Sequence, residues 1–205
     1  MQRGMWPNMP ILGIVASSIS GNLSTNSYES IATATVGAGG AATVSFTSIP
    51  STYKHLQIRA IDKWTFNSGQ ADYSNLAVLF NSDTGANYSS HIVRQIGSSN
   101  TSSSGTSSQT LGYIQTLVPN VHSSLANVFG GYVIDILDYT NTSKFKTVRT
   151  LGGYNGFGTT GATGGSVGLG STLWQSTAAI NRIDLKLDSD SHAQYSSFAL
   201  YGIKG

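Results

Sequence analysis

Residues 127–154 read "NVFGGYVIDILDYTNTSKFKTVRTLGGY", and this stretch decides the fold class. Two runs rich in β-branched and aromatic residues, 127–139 and 143–154, flank the polar triplet "TNT". Two such runs on either side of a short polar turn are typical of a β-hairpin. The sequence therefore predicts a pair of antiparallel strands here, and we expect this hairpin to form the structural centre of the protein.

Alternation along the first strand of this hairpin divides its side chains between two faces. One face carries Tyr132, Ile134 and Ile136, and the other carries Val133, Asp135 and Leu137. Both faces are largely apolar, whereas a strand with one solvated face normally alternates apolar and polar residues. We therefore expect both faces to be covered, one inside a sandwich and the other by a neighbouring subunit.

The rest of the chain repeats the strand pattern and contains no sustained helical period. Further strands are predicted at 27–36, 41–49, 54–62, 75–81, 87–96, 111–118, 179–187 and 194–203. Two turn sequences predict two more hairpins. "GAGG" would join strands 27–36 and 41–49, and "NSDTG" would join strands 75–81 and 87–96. About ten strands without intervening helices predict an all-β fold, an antiparallel two-sheet sandwich of jelly-roll type.

Two polar stretches, 97–110 and 154–172, are predicted to be long surface loops because they have little to bury. Aromatic residues near predicted loops are candidates for surface or receptor contacts, since exposed rings bind sugar faces or fill protein interfaces. These candidates are Trp64, Tyr113, Tyr154, Phe157 and Trp174. Packing in the core is the alternative for each ring.

The chain opens with the apolar segment "MQRGMWPNMPILGIVASSISGN". Its apolar run is much shorter than the roughly 20 residues that span a membrane, so membrane insertion is not expected. A secretion signal is a weaker alternative to an arm that packs on its own domain or on another subunit. We expect a docking arm over 1–26 and the β-sandwich domain over 27–205. The candidate assembly residues of the arm are Met5, Trp6, Ile11, Leu12, Ile14, Val15 and Ile19.

The composition argues against several classes of protein. Of the 205 residues only 10% are charged, 11 basic and 9 acidic, and the basic residues form no cluster. The sequence therefore shows no basic patch of the kind that binds nucleic acid. The chain has no cysteine, which excludes disulfides and thiolate metal sites. A surface rich in Ser, Thr, Gly and Tyr suits a protein that assembles by shape and hydrogen bonds.

Catalytic and metal-binding patterns are weak. The four histidines, at 55, 91, 122 and 192, are scattered, and no Gly-x-Ser-x-Gly elbow accompanies them. The carboxylates of Asp135 and Asp138 could form a glycosidase pair, but Asp138 is expected to face Lys144 across the turn. The sequence "DSDSH" at 188–192 lacks the glycine and distal glutamate of a calcium loop. We therefore expect no catalytic residues, no metal and no cofactor.

Three segments carry a resemblance to a known family: "SYESIATATVGAGGAATVSFTSIPSTYKHLQIR" (27–59), "VIDILDYTNTSKFKTVRTLGGY" (133–154) and "AQYSSFALYGIKG" (193–205). In them the chain resembles small structural proteins of tailed bacteriophages, common in marine and cyanobacterial phages. Members are labelled virion structural, capsid-decorating or tail-fibre proteins. The resemblance implies a non-enzymatic component located in the virion, and it brings no catalytic residues.

Three hypotheses of function follow. The first is an outer capsid decoration, or cement, protein that stabilises the head as a homotrimer and contacts the major capsid protein. The second is a tail-fibre or baseplate adhesin module, which contacts tail components and binds a host-surface glycan. The third and most remote is a polysaccharide hydrolase.

Overall fold

A computed structural model gives the structure of the protein and describes residues 27–65, 73–98, 101–119, 125, 127–156, 164–188 and 191–205. These residues contain twelve β-strands and no α-helix: β1 (Tyr28–Thr35), β2 (Thr43–Phe46), β3 (His55–Asp62), β4 (Tyr73–Phe80), β5 (Tyr88–Ile96), β6 (Ser102–Gln109), β7 (Gly112–Pro119), β8 (Gly130–Leu137), β9 (Lys146–Tyr154), β10 (Ser166–Trp174), β11 (Ile183–Leu187) and β12 (Ser197–Ile203). The prediction of an all-β fold is confirmed.

Two antiparallel sheets pack together as a sandwich. The large sheet has eight strands in the order β1-β12-β3-β8-β9-β10-β5-β6, and the small sheet has four in the order β2-β11-β4-β7. The pairing is nested, because β1 pairs with β12, β2 with β11, β3 with β8 and β4 with β7. Folding a long antiparallel hairpin over itself produces such an order. The sandwich is thus confirmed, while its jelly-roll type stays an interpretation of the nested pairing.

The predicted hairpin of residues 127–154 is present as β8 and β9, which pair from Gly131 with Gly153 to Leu137 with Thr147. They are the fourth and fifth of the eight strands in the large sheet. On the inner face of β8, Ile134 and Ile136 are fully buried in the core. The residues on the opposite face, Val133 among them, remain partly exposed in the single chain.

The two other predicted hairpins are wrong, although their strands exist. β1 and β2 lie in different sheets, as do β4 and β5. The turn residues do reverse the chain, and Asn81 and Ser82 adopt positive φ values of 51° and 59°. A tight turn, however, specifies only the reversal and not the sheet that the next strand joins. Here each turn carries the chain across the sandwich.

The two predicted loops are also corrected, because parts of both are strands. Residues 102–109 form β6, an exposed edge strand that pairs with β5. Residues 166–174 form β10, which lies between β9 and β5. An edge strand with solvent on both faces needs no apolar residues, so it gives no hydrophobic period. In β10 the period is inverted, since Val167 and Leu169 face solvent while Gly168 is buried.

A buried polar pair joins the strands near one end of the sandwich. Asp62 and His192 are both fully buried, and the imidazole Nδ1 lies 2.9 Å from Asp62 Oδ2. The imidazole Nε2 donates to the carbonyl oxygen of Leu185 at 3.2 Å. His192 also forms backbone bridges with Ala41 and Trp64. The pair therefore connects the end of β3 and the middle of β11 with the segments that precede β2 and β12.

A buried lysine fixes the turn between β8 and β9. The side chain of Lys146 is fully buried, and its ammonium donates to the carbonyl oxygens of Asn141, Lys144 and Thr177 at 2.6, 3.1 and 3.0 Å. Burial lowers the pKa of Lys146 below its usual value. Three carbonyl dipoles compensate the charge, as a buried cation requires.

Candidate interaction surface

Five large aliphatic side chains are exposed together on the outer face of the large sheet. They are Ile61, Val93, Leu151, Val167 and Leu169, each between 50% and 59% exposed. They project from β3, β5, β9 and β10. We call these five residues, with the partly exposed Val133 of β8, the aliphatic patch. Contiguous exposed apolar side chains are a common feature of contact surfaces, so the patch is a candidate interaction surface.

The strand register makes the patch continuous. Val133 lies opposite Leu151, Leu151 opposite Leu169, and Leu169 opposite Val93, so one row of aliphatic residues crosses four adjacent strands. Side chains at directly opposed positions are only about 5 Å apart, which brings them into contact. The row is therefore a single apolar surface and not four isolated residues.

A second row of residues across the same strands contains two glycines. Ile61 lies opposite Gly131, Gly131 opposite Gly153, and Gly153 opposite Val167. A side chain at Gly131 would meet no atom within 4 Å, so open space lies above this glycine. A groove of about 500 Å³ lies here, with Val133, Leu151 and Val167 among its lining residues. The surface can thus accept a projecting side chain between Ile61 and Val167.

A polar row borders the patch. Gln57 Nε2 donates to Asp135 Oδ1 at 2.8 Å, and Arg149 Nη2 lies 3.7 Å from Asp135 Oδ2. Beyond Arg149 a second groove, of about 680 Å³, includes His91 and Leu169 in its lining. An apolar centre with a polar rim is the usual anatomy of a protein–protein interface.

An aromatic and cationic cluster lies on the same face near β1. The Tyr28 and Tyr201 rings meet edge to face with their centroids 6.4 Å apart. The Arg59 guanidinium lies 5.7 Å from the centroid of Tyr28 and 5.6 Å from that of Tyr201. Cation–π contacts of this length hold all three side chains in place. The cluster therefore gives the outer face a second ordered feature beside the patch.

The structure corrects three of the residues predicted for surface or receptor contacts. Trp64 is 0% exposed, Trp174 2% and Tyr154 7%. Trp174 stacks on Tyr88, and its indole Nε1 donates to Asp83 at 2.7 Å. Rings that border a turn can still point inward, because burying them removes a large apolar area from water.

The remaining predicted site residues fall into two groups. Tyr113 lies in β7 and is partly buried, and burial raises the pKa of its hydroxyl. Phe157 and all seven assembly residues of the predicted arm lie outside the described residues. The arm and its boundary at residue 26 therefore stay predictions.

Sequence reasoning missed the aliphatic patch itself. A signal for it existed in "SVGLGSTLW" (166–174), where apolar residues alternate with small ones. The glycines made this segment resemble a loop, yet the alternation is that of a strand. Only the pairing of β10 with β9 and β5 brings Leu169 beside Leu151 and Val93.

Asp138, considered above for glycosidase chemistry, has structural partners in the β8–β9 turn. The described residues contain no group of three or more His, Asp and Glu side chains that could hold a metal ion. Asp138 forms ion pairs with Lys144 and Lys54, as predicted for Lys144, and these lysines lower the pKa of Asp138 to about 2. His55 Nδ1 accepts the backbone N–H of Asp138 at 2.9 Å. This arrangement stabilises the hairpin turn.

Comparison with known proteins adds no relative, because no family model and no curated protein matches this chain. The described part of the chain also has no helix of the length and hydropathy that crossing a membrane requires. The aliphatic patch and the sequence resemblance are therefore the two observations that bear on function.

Proposed function

We propose that this protein is a non-enzymatic structural protein of a tailed-bacteriophage virion, an outer capsid decoration protein that stabilises the head. The observation that carries the proposal is the aliphatic patch, in which five of the six side chains are at least half exposed on the large sheet. A decoration protein must bind a lattice of other subunits through its surface, without a substrate pocket. The resemblance of residues 27–59, 133–154 and 193–205 to phage structural proteins supports the same function.

The chemistry of the patch favours a protein partner over a glycan. Its six side chains are aliphatic, and Trp64, Tyr154 and Trp174 are buried. The exposed Tyr28 ring of the same face is held by Tyr201 and Arg59. Sugar rings are bound mainly on aromatic faces, whereas interface cores accept aliphatic side chains inside a polar rim. This difference supports the decoration protein over the tail-fibre adhesin.

Introducing a charged residue into the aliphatic patch should prevent attachment of the protein to the particle and leave its domain folded. Leu151→Asp and Leu169→Asp replace side chains that are 53% and 59% exposed, so the melting temperature should stay close to that of the parent protein. If either leucine is an interface anchor, its variant should bind at least about thirtyfold more weakly to particles that lack the protein. This factor corresponds to about 2 kcal/mol, the usual lower bound for a hot-spot residue. Ser30→Asp, on the exposed edge of the same sheet, is the matched control. Normal binding by both leucine variants would exclude the patch as the attachment surface.

Copy number in purified virions tests the proposed function as a whole. Quantitative mass spectrometry should find hundreds of copies per particle if the protein decorates the capsid. A few copies, in a multiple of three or six, would instead identify a tail protein and support the adhesin. Complete absence from the virion would overturn both assignments.

Deleting residues 1–19 tests the predicted arm. The apolar run has only Arg3 as a charged residue before it, which suits a segment that docks on other subunits. We expect a folded, soluble β-domain that no longer enters particles, measured by circular dichroism and by particle composition. Normal incorporation of the truncated protein would contradict an assembly role, and unfolding would assign the segment to the core.

A further inference from the structure

Strand β6 is an open edge of the large sheet. It is the last strand in the sheet order, and among the described strands only β5 pairs with it. Its side chains from Ser102 to Gly105 are exposed. One row of backbone N–H and C=O groups therefore points away from the sheet, and such a row is a template for a further strand.

The other three edges each carry a feature that hinders pairing, whereas β6 has a regular segment without one. β1 has a bulge between Ser30 and Ala32 and carries Glu29, β2 has only four residues, and β7 ends at Pro119 with an irregular register. Between residues 97 and 110 the sequence contains only Gly, Ser, Thr, Asn and Gln. Charged residues and proline, the usual protection of an edge, are absent from this stretch.

The regularly paired part of β6 is short, with equal numbers of residues on either side of its central residue. Ser102 to Thr106 pair in register with Arg94 to Ser90, and a bulge follows before Gln109. Ser108 in that bulge has a φ of 54°, which ends the flat edge. Five regular residues remain, with Ser104 at their centre.

We propose that β6 pairs with β6 of a second copy of this chain, antiparallel and around a twofold axis at Ser104. Ser104 then lies opposite its counterpart, and Ser103 and Ser102 lie opposite Gly105 and Thr106 of the second copy. A twofold axis brings identical residues together, so a charge near it would meet a like charge. The regular segment 102–106 has no charge and only small side chains, so this edge fits its own copy.

The pairing would also extend the contact surface of the outer face. Ser103 lies opposite Val93, which ends the aliphatic row of the patch. In this register Ser103 lies opposite Gly105 of the second copy, and that Gly105 pairs with His91 of its own chain. The two aliphatic rows therefore lie on the same face of one continuous sheet, displaced by two residues along the strands. The twofold contact is independent of the proposed function, and it differs from the homotrimer that the decoration hypothesis led us to expect.

Single cysteines give a direct test, because the chain has no cysteine of its own. Directly opposed residues have Cα atoms about 4.5–5.5 Å apart, which fits a disulfide. Ser104→Cys should therefore form a covalent dimer on mild oxidation. Thr33→Cys, at an exposed position of the opposite edge strand β1, should stay monomeric on a denaturing gel. A Ser104→Cys protein that does not cross-link, or that cross-links no better than Thr33→Cys, would overturn the proposed pairing.

A charge swap at the axis tests the same contact in solution. Light scattering of the unmodified protein over a concentration series should give twice the chain mass of 21.5 kDa. Ser104→Lys and Ser104→Glu should each dimerise at least about tenfold more weakly, since like charges then oppose each other. Their equimolar mixture should recover the dimer, and Thr33→Lys should leave it unchanged. A monomer, a trimer, or a dimer that tolerates Ser104→Lys would overturn the inference, while virion copy number tests the proposed function separately.

Discussion

Ile134→Asp should lower the free energy of unfolding by about 4 kcal/mol or more, the largest effect we expect from a single change in this protein. Ile134 is 0% exposed, and on its inner face it packs in the core beside Ile58, its opposed residue in β3. The aspartate would lose the packing of the isoleucine and bring an unpaired carboxylate into an apolar environment. Urea denaturation monitored by tryptophan fluorescence would measure the loss.

Val133→Asp is the matched control, because it makes the same chemical change one residue earlier in β8. Val133 lies on the outer face and is only partly buried. Its replacement should cost about 1 kcal/mol or less, as is usual for surface substitutions. Equal losses in the two variants would mean that both faces of β8 are covered in the free protein.

Removing either member of the Asp62–His192 pair should cost about 3–5 kcal/mol, because the remaining group would be buried without its partner. Both side chains are 0% exposed. The imidazole Nε2 faces the carbonyl oxygen of Leu185 and must donate to it, and Nδ1 faces both carboxylate oxygens within 3.0 Å. The carboxylate and the ring therefore satisfy each other's polar atoms inside the sandwich.

A double-mutant cycle would separate this coupling from the loss of packing. Asp62→Ala and His192→Ala should each be strongly destabilised, whereas the double variant should lose little more than either single one. Denaturant unfolding of the four proteins gives the coupling energy. Glu29→Ala, which breaks an exposed pair with Lys204, should have little effect. Strictly additive losses would show that Asp62 and His192 act independently.

The sequence by itself determined the fold class and the strands whose apolar residues face the core. In β8, Ile134 and Ile136 alternate with partly exposed residues, and in β12 Phe198 and Leu200 do the same. The β8–β9 hairpin was also predictable, because its partners are neighbours along the chain and a short polar turn joins them. These features depend on local chemistry, which a single sequence displays directly.

Only the tertiary structure decided which sheet each strand joins and which side chains meet on the outer face. β1 pairs with β12 at the far end of the chain, and a turn beside β1 carries no information about that partner. Strand β6 lacks an apolar period, and glycines obscure the alternation of β10, so pairing with their neighbours holds both strands in the sheet. The aliphatic patch gathers residues from five strands, spread along the chain from Ile61 to Leu169. Its existence follows from strand order and register, which are set by the packing of the whole sandwich.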